Sequence, residues 1–201
     1  MNKLSVVIIT LNEEKNIERC IASVKEIADE ILIVDSLSSD KTKEICERLG
    51  CRFVEQKFLG YVEQKNFALK LATHPYVLSL DADEAVSKEL NIEIMKIKNN
   101  FDVNGFSFNR LTQYNGHWVK HCGWYPDTKL RLIEKSRGQW GGTNPHDCLE
   151  VQGKVVHLRG DLLHYSYDSI SSHIQQSNKF SSIEAQALYH KGKRADLNKA
   201  F

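Results

Sequence analysis

Short apolar runs and helix-like segments alternate along the first part of this chain, and this alternation restricts the fold more than any other feature. The runs, which are turn-bounded and largely apolar like buried strands, span 4–9, 30–34, 51–54 and 76–80. Between the first two runs, Ile17, Ile21 and Val24 recur at helical spacing. This alternation over about the first 85 residues predicts a parallel sheet with right-handed crossovers and helices on both faces.

The pattern changes in the second half of the chain. Segments 105–112 and 129–134 have the composition of strands, but polar residues interrupt them, which indicates that solvent or a ligand reaches one face. A last helix is expected at about 169–190. We therefore expect one α/β domain with two halves, a Rossmann-type half at 1–100 and a mixed, partly antiparallel half at 101–201.

The composition indicates an ordinary globular protein and gives no support for nucleic-acid binding. With 41% apolar and 26% charged residues among 201, the chain has the composition of an ordinary globular domain. A formal net charge of +1 gives no electrostatic reason to expect a nucleic-acid partner. Five cysteines without a C-x-x-C pair indicate reduced thiols and a cytoplasmic location.

Two aspartates separated by one residue follow the last of the four predicted strands. Asp81 and Asp83 come directly after this run, and ligands of open α/β sheets bind beyond the carboxyl ends of the strands. Residues two apart in extended backbone point to the same side, so the carboxylates repel each other unless a cation binds them. The pair predicts a Mg²⁺ or Mn²⁺ site that adds phosphate oxygens from a substrate. The alternative is an acidic surface turn.

Two further polar residues are candidates for contact with such a substrate. Asp35 ends a predicted strand at the same sheet edge, where it would accept hydrogen bonds from a ribose or a base, or cap the next loop. Because the chain has no glycine-rich phosphate loop, metal and side chains must hold the phosphates. Lys65 is a candidate for this role, and the alternative is a solvated lysine on a helix face.

Asn12 is expected to cap the helix that follows it.

Aromatic and acidic residues concentrate in the second half. Asp127 follows Trp124-Tyr125-Pro126, and a carboxylate in a partly desolvated aromatic pocket can have a raised pKa and act as a general base. A turn-forming Pro-Asp pair is the alternative. His146, Asp147 and His164 are candidates for metal binding or a substrate clamp, with structural roles as the alternative for the histidines. The tryptophans, which belong either to the core or to a sugar-stacking surface, are Trp118, Trp124 and Trp140.

Four motifs in the first half resemble those of family 2 glycosyltransferases. In chain order they read Val-Ile-Ile-Thr-Leu-Asn-Glu-Glu, Ile-Val-Asp-Ser-Leu-Ser-Ser-Asp-Lys-Thr, Gln-Lys-Asn-Phe-Ala and Leu-Asp-Ala-Asp-Glu. Three later segments resemble the bacterial branch that acts on lipopolysaccharide core: Gly-Trp-Tyr-Pro-Asp-Thr-Lys-Leu-Arg-Leu, Asn-Pro-His-Asp and Leu-Leu-His-Tyr-Ser-Tyr. The resemblance covers essentially all 201 residues and implies a GT-A fold and an inverting reaction with a nucleotide sugar.

The resemblance also implies roles for residues on the donor side. Those that would line the nucleoside pocket are Thr10, Glu13 and Asp35. Lys65 would face the nucleotide. Asp81 and Asp83 would hold the metal, Mg²⁺ or Mn²⁺, together with the sugar diphosphate.

On the other side, the resemblance implies a base and an acceptor site. Asp127 stands at the place of the family's Glu-Asp catalytic motif, with Pro126 where Glu is usual. Similarly, Asp147 stands where this branch usually has Glu after His. The residues that would lie on the acceptor side are Trp124, His146, Asp147 and His164.

These roles imply transfer of a hexose, expected to be glucose, from a UDP-linked donor to a lipopolysaccharide-core or other cell-envelope glycan, free or lipid-linked. Two other functions are considered. A sugar-1-phosphate nucleotidyltransferase usually carries a glycine-rich N-terminal loop with a basic residue, and this N-terminus has none. A non-catalytic carbohydrate-binding protein needs the aromatic residues but not the aspartates.

Basic residues follow the last predicted helix. They are Lys191, Lys193, Arg194 and Lys199. Each attracts anionic lipids by roughly 1 kcal/mol near a membrane surface, so we expect weak peripheral contact with the inner face of the cytoplasmic membrane. The branch normally continues with further hydrophobic and basic segments, so we also expect this chain to be truncated at its C-terminus.

Overall fold

The computed structural model describes residues 2–193. In this range the strands are β1 (Leu4–Thr10), β2 (Glu30–Asp35), β3 (Arg52–Glu55), β4 (Tyr76–Asp81), β5 (Glu84–Val86), β6 (Gly105–Tyr114), β7 (His117–Trp118), β8 (Asp127–Glu134), β9 (Gly138–Thr143), β10 (His146–Val151) and β11 (Val155–Tyr167). The α-helices are α1 (Ile17–Val24), α2 (Thr42–Arg48), α3 (Tyr61–Leu71), α4 (Lys88–Ile97) and α5 (Ile170–His190). None of these helices is long and apolar enough to cross a membrane.

One mixed sheet of nine strands organises the fold. Its order is β3-β2-β1-β4-β8-β6-β11-β5, and β7 pairs with β6. Strands β3, β2, β1 and β4 run parallel to one another. Strand β8 is antiparallel to β4 and to β6, while β11 is parallel to β6 and antiparallel to β5. The predicted α/β fold, with a parallel first half and a mixed second half, is confirmed.

Apolar side chains cover both faces of this sheet. Along β1, Leu4, Val6 and Ile8 join one buried cluster and Val7 joins the other, as the two-residue period of a strand requires. The first cluster is completed by helices α1 and α4, and the second by α3. The predicted apolar stripe of α1 is buried in full, so this helix packs closely against the sheet.

Strands β9 and β10 form a hairpin outside the main sheet, which the sequence does not predict. This hairpin is attached to α3, because Asn66 exchanges two hydrogen bonds with the Trp140 backbone, its Nδ2 donating to the carbonyl (2.8 Å) and its Oδ1 accepting from the amide (2.9 Å). Asn144 adds a third contact by accepting from the Val62 amide at 3.1 Å. The attachment brings Asp147 on β10 beside α3.

The start of α1 also differs from expectation. The helix begins at Ile17 rather than directly after Asn12, so the predicted cap is wrong. Asn12 has a φ of +55°, and its Oδ1 accepts a hydrogen bond from the Ser39 amide at 2.8 Å. Its side chain therefore ties the loop after β1 to the loop after β2 instead of ending a helix.

Candidate functional site

Charged side chains meet at the carboxyl end of β4. Asp81 Oδ2 accepts hydrogen bonds from Lys65 Nζ on α3 (3.3 Å) and from Arg131 Nη2 on β8 (3.2 Å). Lys65 Nζ also lies 2.8 Å from Asp147 Oδ2. The site is therefore built from the first half of the chain, the second half and the hairpin together.

The ion pairs continue from Arg131 through buried Glu84 toward Asp127. Arg131 Nη2 lies 2.9 Å from Glu84 Oε1, Arg110 Nη1 lies 3.9 Å from the same oxygen, and Arg110 Nη2 lies 2.8 Å from Asp127 Oδ2. Glu84 has no exposed surface and Arg131 is 4% exposed. We call this alternating series the charged network; its members in order are Asp127, Arg110, Glu84, Arg131, Asp81, Lys65 and Asp147. It connects both aspartates proposed for chemistry, at 81 and 127.

The network fixes the charge of Asp81. Burial alone raises the pKa of this carboxyl, but the charges of Lys65 and Arg131 outweigh burial and hold the pKa well below its usual range. Glu84 contributes to the geometry, because its Oε2 accepts from the backbone amide of Asp81 at 2.9 Å. Asp81 is thus an ionised, pre-positioned group.

Lys65 is not a solvated lysine, so that alternative is wrong. Its side chain is 4% exposed and bridges Asp81 and Asp147, and its Nζ lies 4.4 Å from the centre of the Trp140 ring. A buried ammonium between two carboxylates is held in one position. Lys65 therefore places a fixed positive charge at the carboxyl end of β4.

Asp83 and His164 form a second, more accessible pair. Asp83 Oδ2 lies 3.3 Å from His164 Nε2, and the other ring nitrogen of His164 lies 3.3 Å from Thr112 Oγ1. The imidazole ring is thus held from both sides, with one nitrogen directed at the carboxylate. This places His164 beside the predicted metal residues.

The side-chain atoms of Asp81, Asp83 and His164 could bind a divalent cation that also binds phosphate. Asp81 Oδ1 is buried and makes no hydrogen bond, although Lys65 Nζ lies 3.1 Å from it. Among residues 2–193 no three His, Cys, Asp or Glu side chains form a complete metal-binding group. Carboxylate oxygens suit Mn²⁺ or Mg²⁺, and Mg²⁺ commonly takes one or two protein carboxylates and completes its shell with substrate oxygens and water.

Asp127 lies at the start of β8, but its environment differs from the one expected. Burial raises the pKa of Asp127, yet the hydrogen bond from Lys129 and the charge of Arg110 outweigh burial and lower it. Each carboxylate oxygen has a cation at 2.8 Å, Lys129 Nζ on Oδ1 and Arg110 Nη2 on Oδ2. The expected raised pKa is wrong: Lys129 stands two residues along the chain, but the contacts of Lys129 and of Arg110 on β6 with the carboxylate are formed in the fold.

The residues predicted for the nucleoside pocket lie together at the ends of β1 and β2. Thr10 pairs with Asp35 in register, and the Oγ1 of Thr10 is buried without a hydrogen-bond partner. Asp35 accepts from the Ser38 amide at 2.7 Å and from the Ser38 hydroxyl, so it caps its loop as the structural alternative predicts. Its binding to a nucleoside stays a prediction.

Glu13 follows β1 and has an unusual ionisation. Burial raises its pKa to about 7, an effect that the charges of Asp83 and Asp40 strengthen and the hydrogen bond from Asn16 opposes. Because this folded-state pKa exceeds the ordinary 4.5, the associated stability is fully present below about pH 4.5 and is lost as the pH rises through about 7.

We therefore predict that Glu13→Gln, which cannot ionise, gains stability relative to the wild type between pH 5 and pH 8. Since Glu13 is only half-buried, we expect a gain of about 1–2 kcal/mol, or roughly 2–8 °C in Tm. Thermal melting at several pH values measures it, and Glu14→Gln, an exposed neighbour, is the control. Parallel pH profiles for Glu13→Gln and the wild type would show that Glu13 has an ordinary pKa.

The structure separates the acceptor-side candidates. His164 and Asp147 join the cluster around Asp81, whereas His146 is exposed and its Nε2 lies 3.4 Å from Glu184. Trp124 lies in a separate group of aromatic rings with Tyr114. Of the remaining tryptophans, Trp140 is buried and Trp118 packs against the Tyr165 ring.

Sequence reasoning misses three members of the charged network, Glu84, Arg110 and Arg131. A signal was present for Arg131, because a charge interrupts the apolar stretch Leu130-Arg131-Leu132-Ile133 at a position that a strand buries. Glu84 directly follows the two aspartates. Their partners lie on other strands, so the sequence alone does not identify the pairs.

Comparisons with known proteins identify the family of this chain. The family model "Glycosyl transferase family 2" matches residues 5–151. An uncharacterized glycosyltransferase of Rickettsia typhi is 35% identical over 96% of this chain and 70% of its own length. The lipopolysaccharide core biosynthesis glycosyltransferase LpsC of Rhizobium meliloti is 32% identical over 95% of this chain and 73% of its own length.

Among solved structures, Staphylococcus aureus TarS has the same fold. One TarS crystal structure gives a TM-score of 0.56 at 16% identity, covering 90% of this chain and 39% of TarS. Its fragment 1–349 in complex with UDP gives a TM-score of 0.53 at 21% identity, covering 67% of this chain and 47% of the fragment. This likeness shows the expected GT-A fold. With a family model that matches most of its residues, the chain belongs to glycosyl transferase family 2.

Proposed function

We propose that this glycosyltransferase moves glucose from UDP-glucose to a lipopolysaccharide-core or related cell-envelope glycan and inverts the anomeric carbon. The observation that carries this proposal is the charged network, which joins the predicted donor residue Asp81 to the predicted base Asp127. Family membership favours transfer over nucleotidyl transfer and over non-catalytic carbohydrate binding.

On the donor side, Mg²⁺ or Mn²⁺ would be held by Asp83, His164 and the Asp81 oxygen that makes no hydrogen bond. When bound, the ion supplies positive charge against the leaving diphosphate. Lys65, which is fixed beside Asp81, adds a charge that needs no rearrangement during the reaction. TarS has been solved with UDP and with UDP-GlcNAc, which makes UDP the first nucleotide to test.

In the transfer step, an acceptor hydroxyl attacks the anomeric carbon opposite the leaving group. The new oxygen–carbon bond forms as the bond to the diphosphate breaks, and the Asp127 carboxylate takes the hydroxyl proton. With its lowered pKa, Asp127 is ionised at neutral pH and can accept that proton; Lys129 and Arg110 hold the carboxylate in position but weaken it as a base. One displacement of this kind inverts the anomeric centre.

A relative of this chain supports the proposed acceptor. The description of LpsC as a lipopolysaccharide core enzyme supports a core glycan as acceptor. Action at the inner face of the cytoplasmic membrane, with weak peripheral contact, stays a prediction. Of the four basic residues behind it, Lys191 hydrogen bonds to Thr143, and Arg194 and Lys199 lie outside the described residues.

Metal-dependent binding of UDP tests the donor site. A ligand at 100 times its dissociation constant adds ~2.7 kcal/mol to stability, or roughly 5–11 °C in Tm for a domain of this size. We expect UDP with Mn²⁺ to raise Tm by this amount, and UDP with EDTA, GDP or TDP to raise it less. Asp83→Ala is expected to lose the metal-dependent part.

Asp102→Ala is the matched control, because Asp102 is an exposed aspartate outside the charged network. It should respond to UDP and Mn²⁺ like the wild type. A metal-dependent shift that survives in Asp83→Ala would remove Asp83 from the metal site. A wild type that shows no shift with any of the three nucleotides would argue against the donor assignment as a whole.

A further inference from the structure

An open cleft with aromatic walls lies outside the charged network. It has a volume of about 520 Å³, within the range of small-molecule sites. Its lining includes Tyr114, Asn115, Val119, Trp124, Ile170 and His173. The cleft therefore combines the ends of β6 and β7, the segment before β8 and the first turn of α5.

The rings in this cleft meet edge to face. Tyr114 lies 5.9 Å from Trp124 and 5.4 Å from His173 between ring centres, with interplanar angles of 90° and 82°. The Trp124 and His173 rings are 6.4 Å apart at 82°. Tyr167 packs beside His173 at 4.3 Å. The perpendicular rings of Tyr114, Trp124 and His173 form walls, whereas Tyr167 lies tilted at 36° against His173, and each ring in the group is only half-buried.

The strands place this cleft next to the reaction site. On β6, Arg110 contacts Asp127, Thr112 contacts His164 and Tyr114 enters the cleft. Residues two apart on a strand share a face and lie roughly 7 Å apart, so the cleft begins one such step beyond the His164 contact. Trp124 also lies only three residues before Asp127 in the sequence.

We infer that the cleft binds a sugar unit of the acceptor glycan other than the unit that reacts. This inference rests on the proposed function. The C–H face of a pyranose is apolar and packs against aromatic rings, and its hydroxyls need polar partners. The cleft offers both, since Asn115, His117 and His173 stand among its apolar walls.

A remote sugar site has a catalytic consequence. Binding energy from a part of the substrate that does not react can be used to hold the reacting hydroxyl in position. The distance between the cleft and Asp127 suits an oligosaccharide, whereas a single sugar cannot occupy both places. The cleft therefore selects acceptors that have at least one sugar in addition to the reacting unit.

Binding of defined sugars to the intact protein tests this inference. The probe is the lipid-free oligosaccharide released from lipopolysaccharide by mild acid, with methyl glucoside as a single-sugar probe and dodecylphosphocholine as an acyl-chain probe. Binding is followed by saturation-transfer NMR and titration calorimetry, and UDP with Mn²⁺ is titrated in parallel. We expect the oligosaccharide to bind at least tenfold more tightly than methyl glucoside.

Variants locate the binding. Trp124→Ala and His173→Ala are expected to weaken oligosaccharide binding at least tenfold and to leave the UDP titration unchanged, which also shows that they are folded. Trp118→Ala, which removes a tryptophan packed against Tyr165 instead, is the matched control and should bind normally.

Three results would overturn the inference: equal oligosaccharide binding by Trp124→Ala and the wild type, no oligosaccharide binding by the wild type at millimolar concentrations, or loss of only dodecylphosphocholine binding in the cleft variants. Failure of the proposed function gives a different result. In that case the wild type does not bind UDP, whether or not the oligosaccharide binds in the cleft.

Discussion

Replacing Arg131 with methionine is expected to lower the free energy of unfolding by about 3–5 kcal/mol. Arg131 is the closest cation to Glu84, at 2.9 Å, and Glu84 has no exposed surface. The next cation, on Arg110, lies 3.9 Å away, which is too far for a hydrogen bond. The substitution therefore leaves a buried carboxylate without its partner, and urea denaturation measures the loss.

Two further variants make this result specific. Arg131→Met combined with Glu84→Gln removes both charges, so it should recover a large part of the lost stability. Arg48→Met breaks an exposed pair with Glu18 and should cost at most about 1 kcal/mol. A loss in Arg131→Met no larger than in Arg48→Met would mean that the buried pair does not stabilise the fold.

The second large effect concerns catalysis. Asp127→Asn keeps the shape of the side chain but removes the proton acceptor, and a positioned base typically contributes ~10²–10⁴-fold in rate. We expect transfer to fall by about that factor while UDP and Mn²⁺ bind normally. The measurement is product formation in a transfer assay, with binding of UDP and Mn²⁺ titrated in parallel.

Asp147→Asn is the control for this experiment. Asp147 is a rival acidic residue at the site, and it contacts Lys65 at 2.8 Å rather than Arg110. If Asp147→Asn abolishes transfer while Asp127→Asn turns over normally, the two roles are exchanged. Melting curves of both variants show whether a lower rate comes from a less stable fold, caused by loss of an ion pair, or from loss of the base.

The parts of the fold that the sequence predicts are those with local signals. The four parallel strands have short, largely apolar runs, and the stripe at Ile17, Ile21 and Val24 identifies α1 and its buried face. The hairpin β9–β10 has no such signal, because its glycines at 141 and 142 have low strand propensity and its support comes from Asn66 on α3.

For the site, the sequence identifies residues better than environments. The sequence identifies Asp81 and Asp83 as metal residues and His164 as an acceptor-side candidate, and the structure places His164 3.3 Å from Asp83. The burial of Lys65 depends on Asp147, which is 82 residues away, and beside nearby Lys129 the lowered pKa of Asp127 depends on Arg110 from a neighbouring strand. Such pairs are formed by tertiary contacts, so a pattern of neighbours along the chain does not contain them.

The pairing of β4 with β8 bears on how this enzyme can be divided. The ladder joins Tyr76 to Glu134, Val77 to Ile133 and Leu78 to Leu132. A fragment ending at residue 100 would leave this apolar strand as an open sheet edge, which is a template for aggregation. We therefore expect that chimaeras which exchange the part of the chain after residue 100 between relatives must preserve the β4–β8 register.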